Sequence, residues 1–225
     1  MSSADLTALA VTLQLAGTTV LVLLIVGTPI AWWLAHTRSR WKVIVEAVVA
    51  LPLVLPPTVL GFYLLTMLGP HGPVGSWWHR LTDSSLAFTF SGLVVGSVVY
   101  SLPFMVQPLH GAFEAVGRAP LEAAWSLRAS RWDAFLTVAS PMALRGYVTG
   151  IVLGFAHTMG EFGVVLMIGG SIPGKTQVVS TTIYNHVEAI EYGQAHVLAG
   201  FMLAFSFLVL VGVYLANRRF PIHAS

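Results

Sequence analysis

Residues 114–145, EAVGRAPLEAAWSLRASRWDAFLTVASPMALR, form a charged interruption in a chain otherwise made of apolar runs. They carry Glu114, Arg118, Glu122, Arg128, Arg131, Asp133 and Arg145, in a protein with only 9% charged residues. Residues 120–127 read as a short helix, because Pro120 suits a first-turn position and Glu122 favours the positive end of the helix dipole. Leu121, Ala124 and Leu127, with Trp125 and Trp132, give it a partly apolar face beside a charged one. Such a helix cannot enter a bilayer, yet the runs on either side of it must. It is suited to docking on something outside the membrane.

The flanking composition sets that context. The chain has 225 residues, 56% of them hydrophobic, and a mean hydropathy of +0.80. Soluble domains carry about 25% charged residues, so an all-α polytopic membrane protein is expected, with 1–225 as a single transmembrane domain. The absence of Cys excludes a disulfide framework, thiol catalysis and Cys-ligated metal. A formal net charge of +2 does not point to nucleic acid. Met1 to Thr7 lacks the basic region and cleavage site of a secretory signal, so the first apolar run is expected to be retained.

Five apolar runs are long enough to span a hydrocarbon core, which takes about 20 helical residues. They cover approximately 9–34, 43–68, 86–109, 143–168 and 195–215. Arg38, Arg40, Lys42, Arg118, Arg128, Arg131, Arg145, Arg218 and Arg219 fall on one side of these spans, and Arg80 and Lys175 on the other. The positive-inside rule then puts the N-terminus outside, the C-terminus in the cytoplasm and the 114–142 loop in the cytoplasm. Trp32, Trp33 and Trp41 near the inner interface, and Trp77 and Trp78 near the outer one, form the expected aromatic belts.

The second run contains Leu51-Pro52-Leu53-Val54-Leu55-Pro56-Pro57-Thr58. Prolines free backbone groups that lipid cannot satisfy, so a break there belongs inside protein or beside a wet cavity. A half-helix starting at Pro57 would aim its positive end at the interior, where an anion is favoured. A kink that only serves packing is the alternative. The third run holds Gly92 and Gly96, with a second break expected at Pro103 and Pro108. The fourth has Gly146, Gly150 and Gly154 at a spacing of four, a smooth stripe for close helix approach within the subunit or across a dimer.

Glu161, in Gly160-Glu161-Phe162-Gly163, is a carboxylate in or near the outer end of the fourth span, and an intramembrane ionisable group is a functional candidate. His157, four residues earlier, would share its helix face and could pair with it. A gate or structural role suits Glu161 better than direct contact with an anion, which a carboxylate repels. Residues 169–176, GGSIPGKT, match the phosphate-loop pattern, but the run follows a span rather than a strand and contains Pro173. Nucleotide binding by this chain is therefore not expected. No catalytic set and no metal site are indicated, and the chain is not expected to be an enzyme.

Glu122-Ala123-Ala124, then Ala129-Ser130-Arg131-Trp132 and Ser140-Pro141, resemble the cytoplasmic "EAA" loop of ABC-importer permeases. The family has Gly where this chain has Arg128, and Leu-Pro where it has Ser140-Pro141. Together with Leu51 to Pro57, Gly160 to Gly163 and Ile172 to Thr176, the loop is similar to that of the permease subunits of molybdate importers. That resemblance implies a cytoplasmic-membrane homodimer, two ATPase subunits and an extracytoplasmic oxyanion-binding protein. It implies that ATP and Mg²⁺ are bound by the ATPase, with no cofactor in this chain. Glu122, Ala123, Ala124, Leu127, Arg128, Ala129 and Ser130 would contact the ATPase. Pro56, Pro57, Thr58, Glu161 and Phe162 would line or gate the path. Sulfate or tungstate permeases are the nearest rivals, and a stand-alone channel or secondary transporter is a more distant one.

Overall fold

The computed structural model describes residues 2–219, and every regular element among them is helical. Helix α1, Ser3–His36, begins at a reciprocal cap. The Ser2 hydroxyl accepts from the Asp5 amide at 3.1 Å, and the Asp5 carboxylate accepts from the Ser2 amide at 2.6 Å. At about 1.5 Å per residue, α1 is longer than a hydrocarbon core is thick. Helices α2, Lys42–Val54, and α3, Pro57–Leu68, follow. Their axes are bent by 113° at Leu55 and Pro56. The apolar run 43–68 is therefore two half-helices rather than one kinked rod. Two adjacent prolines remove two successive donors, and Leu55 takes the extended conformation that a following proline favours.

The short helix α4, Pro73–Thr82, leads to α5, Phe90–Val116, capped by the Thr89 hydroxyl. The break expected at Pro103 and Pro108 is absent, and α5 runs through both. Pro103 is buried and Pro108 half-buried among the neighbouring helices, a setting in which a proline inside a membrane helix is tolerated. Gly117 ends α5 at φ +66° and only Arg118 separates it from α6, Ala119–Ser126. Helix α7, Arg131–Ala134, runs through a π-helical turn at Phe135–Ala139 into α8, Ser140–Met142. A 70° bend then leads into α9, Leu144–Gly160. The apolar run 143–168 is split at Glu161 and Phe162, after which α10 covers Gly163–Gly169. Helix α11, Val179–Glu188, is too short to cross a bilayer. Helix α12, Tyr192–Arg219, completes the described chain.

Helix α5 is the central post. Leu23 and Leu34 of α1, Val49 of α2 and Met105, Leu109 and Phe113 of α5 form the main buried cluster. A second cluster joins Leu60, Leu64 and Leu68 of α3 to Val164 and Ile168 of α10. The glycines set these distances. A Cβ on Gly96 would lie 2.5 Å from Ile168, one on Gly150 2.8 Å from the Met105 sulfur, and one on Gly146 2.5 Å from Ala112. The same change at Gly92 would collide with the Leu86 carbonyl. Gly154 has room, its nearest neighbour being Leu23 at 3.5 Å. The stripe thus packs α9 within its own subunit.

Candidate functional site

Three helix ends converge on a cavity of about 540 Å³. Pro57 and Thr58 at the start of α3, Tyr100 of α5, His157 near the end of α9, and Glu161 and Phe162 at the break all line it. Four of the path residues expected from sequence therefore meet in one place, and Pro56 is the cap residue next to them. The contact is close because Gly163 lets α10 start against α3: a Cβ there would lie 2.8 Å from the Pro57 Cβ. Prolines 56 and 57 have no amide hydrogen, so Thr58 offers the first backbone donor of α3 at the cavity wall. The positive end of α3 faces the cavity.

Glu161 and His157 do not pair. Helix α9 ends at Gly160, and Glu161 is extended, with φ −66° and ψ 131°, so the four-residue spacing no longer puts the two side chains on one face. His157 Nδ1 lies 2.9 Å from the Ser101 hydroxyl, and its ring stacks on Phe104 at 4.0 Å. Ser101 also reaches Thr158 at 3.1 Å, and Thr158 donates back to the Gly154 carbonyl. Glu161 is 3% exposed, and neither carboxylate oxygen has a hydrogen-bond partner among the described residues. The break itself is braced by α11: the Ser180 hydroxyl donates to the Glu161 carbonyl at 2.5 Å, and Phe162 packs on Tyr184.

The 114–142 loop has an equally defined geometry. Leu121 is fully buried beside Ala134 and Ala139, with Ala124 packed alongside, and this face anchors α6. Glu122 and Ala123 face outward, Trp125 is exposed and Leu127 is 85% exposed. The helix closes in a Schellman motif. The Arg128 amide donates to the Trp125 carbonyl at 2.9 Å and the Ala129 amide to the Ala124 carbonyl at 3.1 Å. Its left-handed residue is Arg128, at φ +67°. Glycine holds such a position without a steric penalty; here an arginine holds it. Ser130 then caps α7 through the Asp133 amide.

The phosphate-loop lookalike has a different use. The Thr176 hydroxyl donates to the Gly169 carbonyl at 2.6 Å and accepts from the Ile172 amide at 2.9 Å. The amides of Lys175, Thr176 and Gln177 all turn back to the Ile172 carbonyl. The amides of Ile172, Lys175 and Thr176 are thus engaged within the turn rather than turned toward a phosphate.

Two ionic clasps were not visible in the sequence pattern. Outside the spans, the two ring nitrogens of His186 contact Asp5 at 3.1 Å and Glu191 at 2.8 Å, joining α11 to the first turn of α1. Asp5 first, then Glu191, holds the imidazole above its ordinary range. The Val179 amide also donates to Thr12 of α1. At the opposite end, Lys42 and His110 both reach Glu114, each at 3.1 Å, fixing α2 to the end of α5. The local hints were the spacings of His186 to Glu191 and of His110 to Glu114; Asp5 lies 181 positions from His186 and Lys42 lies 72 from Glu114.

A helical, apolar chain with a broken-helix cavity and a projecting loop helix is the architecture of a transporter's membrane subunit. The sequence profile for the inner membrane component of binding-protein-dependent transport systems matches residues 27–220, and the chain belongs to that family. It is 63% identical over 220 residues to the molybdenum transport system permease protein ModB of Azotobacter vinelandii, covering 98% of this chain and 97% of that one. It is 32% identical to the sulfate transport system permease protein CysT of Escherichia coli (strain K12), covering 86% and 70%. Its fold matches a chain from the crystal structure of a bacterial alginate ABC transporter in complex with an alginate pentasaccharide-bound periplasmic protein. That match has a TM-score of 0.73 at 19% identity, covering 97% of this chain and 80% of that one. The protein is thus a multi-pass inner-membrane permease of the ABC-transporter type.

Proposed function

We propose that this chain forms the path for molybdate through the cytoplasmic membrane, working as a homodimer with two ATPase subunits and an extracytoplasmic oxyanion-binding protein. The observation that carries the substrate is the 63% identity to a molybdenum permease over almost the whole chain, against 32% to a sulfate permease. The N-terminus lies outside and the basic loops lie in the cytoplasm, with α2–α3 and α9–α10 each entering the membrane as a broken segment.

Glu122 to Ser130 contact the ATPase, which binds ATP and Mg²⁺. Support comes from the exposed apolar side chains of Trp125 and Leu127 at the end of α6. Pro57, Thr58, Glu161 and Phe162 line the path, with Pro56 setting the α3 start. The α3 dipole favours a dianion at Thr58. The buried, unpaired Glu161 serves as a gate element rather than an anion ligand. The scarcity of cationic side chains in the spans suits weak binding in transit, leaving selectivity to the binding protein.

Radiolabelled molybdate uptake by reconstituted complexes is the direct test. Excess unlabelled molybdate is expected to compete far better than sulfate; equal competition would reassign the chain to sulfate. Glu122→Lys is expected to abolish co-purification with the ATPase or uncouple its hydrolysis. An intact, coupled complex would remove that contact from the scheme.

A further inference from the structure

A groove of about 460 Å³ runs between the cytoplasmic half of α1 and the start of α7. No residue lines both this groove and the broken-helix cavity, so the two are separate spaces. Leu24, Thr28 and Trp32 of α1 form one wall, with Trp132 and Phe135 opposite. Trp32 meets Phe135 edge-on at 4.9 Å and Phe113 at 5.1 Å, giving the groove a rigid aromatic floor. From Trp32 to Leu24 it extends about 12 Å along the helix, that is, inward from the interfacial tryptophans toward the bilayer centre.

Its one formal charge is Arg131, at the interfacial end. Among the described residues no carboxylate lies within ion-pair distance of that guanidinium, although Asp133 is only two positions away. The rim is apolar and open, with Ile25 and Trp132 each 75% exposed. A cation at the headgroup level, above an apolar slot that stops within one leaflet, has the layout of a single phospholipid. A second copy of the chain, or a soluble ATPase, would have no reason to match a slot that ends partway across one leaflet.

We propose that this groove is a binding site for an anionic phospholipid of the inner leaflet, its phosphate on Arg131 and one acyl chain between α1 and Phe135. The site rests on the inward orientation of the basic loops argued above, but not on the identity of the transported anion.

The test is native mass spectrometry of the permease–ATPase complex, titrated with phosphatidylglycerol and, separately, with phosphatidylcholine of the same chains. Wild type is expected to retain phosphatidylglycerol preferentially, and Arg131→Gln to lose that preference by about five-fold, the weight of one cation near an anionic headgroup. Arg131→Lys is expected to keep most of it. Thr28→Trp, which fills the slot, is expected to displace both lipids, with thermal unfolding confirming that each variant is folded. Equal retention of the two lipids by wild type would overturn the proposal, as would retention unaffected by both Arg131→Gln and Thr28→Trp. A disulfide between copies through Ile25→Cys would put the partner subunit in the groove and overturn it as well. Uptake of molybdate is not the readout, so a different transported anion would leave this result standing.

Discussion

Two pairs of prolines meet opposite fates in this protein. Pro56 and Pro57 end α2 and turn the chain by 113°, whereas Pro103 and Pro108 leave α5 helical from Phe90 to Val116. Adjacent prolines remove consecutive donors and force the residue before them out of the helical region, so local chemistry alone decides the break. Prolines five apart each remove one hydrogen bond, and the surrounding helices decide whether the rod survives. Around α5 they do, because Gly146 and Gly150 bring α9 within contact of Pro108 and Met105. Arg128 belongs with α5: its backbone is held by its surroundings against its own preference.

The strongest attack on this contrast is to remove the support. Gly150→Leu places a side chain where even a Cβ meets Met105, and overpacking of that kind costs about 3 kcal/mol. The thermal midpoint of the purified complex should fall clearly, and α5 should become accessible to cysteine labelling near Pro103. Next comes the break itself. Pro56→Ala with Pro57→Ala should let α2 extend and displace Thr58, lowering uptake about ten-fold, equivalent to about 1.4 kcal/mol. Pro103→Ala should leave uptake at the wild-type level. If both behave alike, the distinction between the two pairs is wrong.

Arg128→Gly sharpens the same idea in the other direction. Relieving a left-handed arginine should stabilise the complex by about 1 kcal/mol, read as a rise in unfolding temperature. The smallest effect concerns the outer clasp. Asp5 and Glu191 raise the His186 pKa, so its stabilising contribution is complete below the ordinary imidazole pKa and lost as pH rises through the elevated one. The change should be about 1 kcal/mol or less, as for other partly solvated ion pairs. Comparing the pH dependence of unfolding with that of His186→Ala checks it; identical curves would dismiss the clasp.

Sequence reading captured what neighbours in the chain determine. The apolar runs, the interruption at Pro56 and Pro57, and a short helix over most of 120–127 all follow from local composition and backbone chemistry. It failed where distant elements decide. The shared helix face that would have let His157 pair with Glu161 assumed an uninterrupted helix, but α9 stops one residue short of Glu161, where α11 supplies the brace through Ser180. The partner of the glycine stripe was open until α5 was seen lying against it. Asp5 and His186 belong to opposite ends of the chain, and no spacing rule links them.

The unbroken course of α5 has a mechanical consequence. It is about 40 Å of stiff rod, tied to the loop helix by two residues and touching the cavity through Tyr100. A push at Gly117 and Arg118 therefore needs no relay of rearranging side chains to be felt on the far side of the membrane. The rod would deliver it in a single stroke, and the prolines along its length mark where it would buckle first if its neighbours let go.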